Sequence, residues 1–124
     1  MEKKRIIITL ISLFIVFAGC LGNKDPESYY INGVEKYNSG DYNGAIFAFD
    51  SAIQLNPEET KYWLMKGKSL YGLQRYEESA DCYGYILTVI KDEYNKDVWA
   101  ELAKSLDNIE GKESAAENAR ARAK

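Results

Sequence analysis

The chain of 124 residues contains no histidine. That absence removes imidazole acid–base chemistry, His-based catalytic triads and histidine metal sites together. Cysteine is nearly absent too, with only Cys20 and Cys82. Cys20 closes an N-terminal apolar run, so Cys82 lacks a partner and no disulfide framework exists. There is no glycine-rich phosphate loop; Gly33, Gly40 and Gly44 stand where helices pack or turn. Positive charge is short: 16 Lys and Arg face 19 Asp and Glu, for a net charge of −3. This disfavours nucleic acid and provides no polybasic stripe for anionic lipid. The pairs Glu58-Glu59, Glu77-Glu78 and Asp92-Glu93 fall at helix starts or connections, where the dipole favours them and water solvates them. No catalytic constellation, metal-ligating set or cofactor motif remains. A protein without enzymatic activity, cofactor or metal is expected.

What is present is a repeat. Tyr29 recurs as Trp63, Gly33 as Gly67, Tyr37 as Tyr71 and Tyr42 as Tyr76, always 34 residues on. Ala45 recurs as Ser79, Phe49 as Tyr83 and Ala52 as Ile86. Size is kept more than identity, so the repeat is one of packing roles. A third copy, with Trp99, Ala103 and Ala115, follows at an offset of 36, which places a two-residue insertion near Lys91–Asn95. In that register Lys112 answers to Tyr76, Ala119 to Tyr83 and Arg122 to Ile86.

Local signals convert the repeat into helices. Asp25-Pro26-Glu27 and Asn56-Pro57-Glu58 each offer an N-cap, a proline at the first helical position and an early carboxylate. Gly40 suits a left-handed residue past a helix end, and Asp41 can cap the next helix. Apolar residues between these signals recur at three- and four-residue spacing. Helices are expected at about 26–39, 42–55, 58–73, 76–90, 96–109 and 112–124. Gly33 and Gly67 fall mid-helix, which is intelligible where a neighbouring helix approaches closely, opposite Ala45 and Ser79. One all-α domain results, a solenoid of antiparallel helix pairs at 26–124, with repeats at about 26–59, 60–93 and 96–124.

An aromatic, Gly, Tyr, a small residue, an aromatic and Pro57 in a 34-residue period resemble the tetratricopeptide repeat (TPR) family. The resemblance is strong for two repeats and degenerate for the third, which would cap the stack. It implies that the first helix of each pair lines a concave groove. Tyr30, Val34 and Tyr37 would come from the first repeat, Lys61, Leu64, Lys68 and Tyr71 from the second, and Lys104 from the third. Aromatics there would anchor a partner chain, unless Tyr37 and Tyr71 are instead buried between helices. Tyr29, Tyr42, Phe49, Trp63, Tyr76, Tyr83 and Trp99 are expected in the core. Family members that clamp carboxylate tails need cations or amides at positions held here by Tyr30, Val34, Met65, Asp97 and Glu101, so that use is excluded.

Residues 1–19 are a separate object. Lys3-Lys4-Arg5 precedes an apolar run from Ile6 to Ala18, closed by Gly19-Cys20. This is the form of a secretory signal, and Ala18-Gly19-Cys20 resembles the lipobox of prokaryotic lipoproteins. Cys20 would then be the lipidated N-terminus and 20–25 a short tether. The alternative is an uncleaved signal anchor. Both put the repeats on the extracytoplasmic face of a membrane in the cell envelope, because the basic start stays inside. Removing Met1–Gly19 takes away three positive charges and one negative, leaving −5. The expected function is a membrane-anchored adaptor that binds a protein or peptide. The alternatives are a self-assembling structural module or a non-catalytic subunit of a membrane complex.

Overall fold

The computed structural model describes residues 25–124. Residues 1–19, expected as a signal segment, and Cys20, with the lipidation expected there, lie outside the described residues. Among the described residues six α-helices follow one another: α1 (Pro26–Asn38), α2 (Tyr42–Leu55), α3 (Thr60–Gly72), α4 (Tyr76–Tyr85), α5 (Lys96–Leu106) and α6 (Glu113–Arg122). Each packs on its successor, so three helix pairs stack into an all-α solenoid.

Caps fix the starts. Asp25 accepts from the Glu27 amide at 3.0 Å, with Pro26 in the first turn. Asp41 accepts from the Gly44 amide at 2.9 Å, behind Gly40 at φ +82°. The cap expected at Asn56-Pro57-Glu58 is not formed. Asn56 ends α2, Pro57 lies in the connection, and α3 begins only at Thr60. The reason is Trp63, whose indole N–H donates to the Pro57 carbonyl at 2.8 Å and holds that residue in the turn. Trp99 makes the same bond to Glu93 at 2.7 Å, again six residues back. Glu93 therefore occupies the place of Pro57.

The insertion is absorbed earlier than expected. After Tyr85 the chain widens into a π-helical turn, Ile86–Ile90, and leaves it through Lys91 at φ 63°. Such a turn takes in extra residues without breaking the buried face, and Ile86 and Leu87 stay buried. A further residue enters between Leu106 and Gly111. Gly111, at φ +77°, matches Gly40 and Gln74, so the offset grows from 36 to 37. This corrects the third repeat beyond α5. Ala116, fully buried, takes the role of Ser79, while Ala115 is exposed. Arg120, not Ala119, answers to Tyr83, and Ala123, not Arg122, to Ile86.

Phe49 and Tyr83 are fully buried; Tyr29, Tyr42, Trp63, Tyr76 and Trp99 are half-buried. The mid-helix glycines lie directly against these two rings, and Gly67 also meets the small residue expected opposite it. A Cβ on Gly33 would lie 2.5 Å from Phe49, and one on Gly67 2.6 Å from Tyr83. The Ser79 hydroxyl also reaches the Gly67 carbonyl at 2.8 Å and shares a hydrogen bond of 2.9 Å with Ser105. Some positions become core only when a preceding pair exists. Ser28 and Glu35 are exposed on α1, but their counterparts Tyr62 and Ser69, then Val98 and Ser105, are buried. Tyr62 packs on Ala52 and Ile53, and Val98 on Tyr83 and Ile86. Stacking, not the single helix pair, closes the core.

Candidate partner-binding groove

The helices α1, α3 and α5 share one face, α3 touching both of the others. On it Tyr37, Lys68, Tyr71, Glu101 and Lys104 surround an open cleft of about 230 Å³. All three repeats contribute. Helical spacing does this: Tyr37 lies in the last turn of α1, Lys68 and Tyr71 sit three residues apart on α3, and Glu101 and Lys104 repeat that spacing on α5.

Glu101 is the electrostatic centre. Its carboxylate lies 2.9 Å from the Lys104 ammonium and 3.9 Å from that of Lys68, with only 18% of the side chain exposed. The hydrogen bond to Glu101 raises the pKa of Lys104. Burial, with the neighbouring Tyr42 and Glu101, raises that of Tyr37. The Tyr71 hydroxyl accepts from the Asn108 amide at 3.5 Å, a bond that does not use its own proton. The tyrosine rings are braced from behind, Tyr37 on Tyr42 at 5.5 Å and Tyr71 on Tyr76 at 5.2 Å. The cleft therefore presents two fixed rings, two ammonium groups and one shared carboxylate.

Tyr30 and Lys61 form a different cluster at the N-terminal ends of α1 and α3. Lys61 pairs with Glu27 at 2.8 Å and lies over the Tyr30 ring at 4.9 Å. The Tyr62 hydroxyl donates to the same Glu27 oxygen at 3.4 Å. Tyr30 also packs on Phe49 and Tyr62, so much of its ring serves the core. Leu64 packs against the cluster of Tyr83, Ile86, Leu87 and Val98, and Val34 is half-buried. The groove residues from Tyr30 to Tyr71 thus divide between two polar-aromatic clusters. Of the groove residues read from the sequence, Tyr37, Lys68, Tyr71 and Lys104 meet in the cleft.

Sequence reasoning overlooked the pairing role of Glu101 and the contact from Asn108. The i to i+3 step from Glu101 to Lys104 was a visible signal for the first. The second depends on the residue inserted after α5 and had none. Among the described residues no cluster of three His, Cys, Asp or Glu side chains could hold a metal ion, and no helix is long and apolar enough to cross a membrane.

No protein-family model matches the chain. The uncharacterized protein MJ0572 of Methanocaldococcus jannaschii is 41% identical over 78 residues, which cover 60% of this chain and 91% of that protein. The peroxisomal targeting signal receptor of Saccharomyces cerevisiae is 33% identical over 70 residues, 56% of this chain but 11% of the receptor. A structural-genomics target, MrR121A, whose structure was solved by NMR in solution, is 60% identical with a TM-score of 0.70. That similarity covers 82% of this chain and 90% of the target.

Proposed function

We propose that this chain, which belongs to the same family as MJ0572 of Methanocaldococcus jannaschii, is a membrane-anchored interaction module of the TPR type. Its role is binding rather than catalysis, and its partner is a protein segment held in the groove of α1, α3 and α5. The observation that carries this reading is the convergence of Tyr37, Lys68, Tyr71, Glu101 and Lys104 from three successive repeats on one cleft. Braced aromatic rings lose little entropy on binding, and ion-paired lysines orient a polar segment. The similarity to part of a targeting-signal receptor also supports a binding role.

The anchoring rests on the sequence, from Lys3-Lys4-Arg5 through the apolar run to Ala18-Gly19-Cys20. We place the module on the extracytoplasmic face, held by lipid on Cys20. Cys20→Ser should release or mislocalise the protein; retention with an unprocessed N-terminus would mean a signal anchor instead. For the groove, a photo-crosslinking amino acid at Lys68 should capture the partner in intact membranes. The same group at Phe47, exposed on α2, should not. Equal capture from both positions would remove the groove from the proposal.

A further inference from the structure

The antiparallel stack has two edges. One carries the turns within pairs, at 39–41, 73–75 and 107–112. The other carries the start of α1, the connections 56–59 and 86–95, and the end of α6. Direct contacts tie this second edge together. Thr60 donates to Asp92 at 3.1 Å, Lys61 reaches Glu27 at 2.8 Å, and Lys96 donates to the Lys124 carbonyl at 2.5 Å.

Exposed apolar groups are unequally shared between the edges. Ile31, Phe47, Leu55, Val89 and Tyr94 are the exposed large apolar side chains among the described residues. Leu55, Val89 and Tyr94 are all on the second edge, with Tyr94 89% exposed. The first edge shows Ser39, Gly40, Gln74, Arg75, Asn108 and Glu110 to water and none of the five. Beside Tyr94, an open hollow of about 380 Å³ is walled by Glu93, Lys96, Trp99 and Arg122, the Arg122 guanidinium lying 4.9 Å over the Trp99 ring.

The chain also enters at this edge. Asp25 caps α1 there, and only Leu21 to Lys24 separate it from Cys20. Extended, that tether spans roughly 15–20 Å. We propose that the edge formed by Leu55, Val89 and Tyr94 rests on the lipid surface, with the helices standing away from it and the groove running parallel to the bilayer. This rests on the membrane anchoring proposed above. The contact is apolar and interfacial, as suits an exposed tyrosine among aliphatic groups. Exposed Lys91, Lys96, Arg122 and Lys124 are offset by Asp25, Glu58, Glu93 and Asp97, so the surface it fits is zwitterionic. Lys96 and Arg122 would meet headgroup phosphate, and Glu93 the headgroup cation.

The test uses the full chain in nanodiscs of phosphatidylcholine containing a small fraction of nitroxide-headgroup lipid. Amide relaxation is read by NMR. A helix of 13 residues is about 20 Å long, so the edges should differ by at least about threefold in paramagnetic broadening, with 56–59 and 91–95 above 39–41, 73–75 and 108–111. Val89→Ser with Tyr94→Ser, both at exposed positions, should bring the two edges close to parity, whereas added salt should leave the contrast intact. Equal broadening in the natural chain, stronger broadening of the turn edge, or a contrast that survives the double substitution would overturn the proposal. A chain that does not co-float with the discs would overturn the anchoring itself, and this inference with it. A chain that co-floats with equal broadening would overturn the edge contact alone.

Discussion

The ring of Tyr83 occupies the space that a side chain on Gly67 would need, with Cε1 2.6 Å from the position of a Cβ. The ring is fully buried, so it has no free path to yield. Gly67→Ala should therefore cost about 1–3 kcal/mol through overpacking, despite the better helix propensity of alanine. Gly84 is the control, since a Cβ there meets nothing within 4 Å and its φ is unexceptional. Gly84→Ala should stabilise by up to about 1 kcal/mol. Gly111 would be a poor control, because its φ of +77° strains any side chain. Urea denaturation of both variants is the check, and matching shifts would refute the close approach.

Gln74 holds the left-handed position that Gly40 and Gly111 hold in the other two pairs, at φ 61°. A non-glycine residue there carries a steric penalty of roughly 1 kcal/mol. Gln74→Gly should raise the melting temperature, while Gly40→Gln should lower it by a similar amount.

These two relationships show what was legible in the sequence. The 34-residue spacing of Gly33 with Gly67 and of Phe49 with Tyr83 sufficed for an all-α stack of helix pairs, because residue size kept at a fixed spacing marks packing roles. That each glycine lies against an aromatic ring was not legible, and only the small Ala45 and Ser79 were expected there. The register of the last pair was not legible. Alanines at 115, 116 and 119 are equivalent by composition, and only the left-handed Gly111 reveals the additional residue before α6. Tyr62 was missed for a related reason, since its burial comes from the preceding pair and its counterpart Ser28 is exposed. In the groove, helical spacing indicated which residues share a face. It could not show that Glu27 would claim Lys61, and Glu101 Lys68 and Lys104, dividing the groove residues between two clusters.

Alkaline pH should destabilise the fold. Burial pushes the Cys82 thiol up to about 11 and also raises the Tyr83 hydroxyl, which is buried without a hydrogen-bond partner. Both groups keep their protons in the fold at pH values where the unfolded chain has lost them. The native state then binds more protons, so stability is fully present below about pH 9 and falls as pH rises beyond it. For Cys82 the loss amounts to roughly 2 kcal/mol by pH 11. Cys82→Ala should flatten the decline between pH 9 and 11, as measured by denaturant midpoints. An unchanged pH profile would contradict the assignment.

Helix α6 should open first. Its buried side chains are Ala116 and Ala119, which remove little apolar area from water. The remaining ties are surface contacts, Arg120 with Asp107 and Arg122 over Trp99. Native-state hydrogen exchange should show Glu113–Arg122 less protected than Tyr42–Leu55. Equal protection would point to a second copy covering the hollow beside Leu102, Leu106 and Ala115.

Tyr71 has two jobs that substitution can separate. Its ring packs edge-on against Tyr76 at 5.2 Å, while its hydroxyl faces the cleft and accepts from Asn108. Tyr71→Phe keeps the ring and deletes the hydroxyl, so stability should change by less than about 0.5 kcal/mol. Tyr71→Ala removes both, and truncating a bracing aromatic should cost stability as well as affinity. With a partner segment identified by crosslinking from Lys68, calorimetry should give a modest loss for Tyr71→Phe, about threefold to tenfold, as for one hydrogen bond. Glu101→Gln is the complementary variant. It frees Lys68 and Lys104 from their shared carboxylate, so the salt dependence of binding should change even where affinity does not. If Tyr71→Phe and Glu101→Gln both bind with unchanged affinity and unchanged salt dependence, the cleft of Tyr37, Lys68, Tyr71, Glu101 and Lys104 is not where the partner sits.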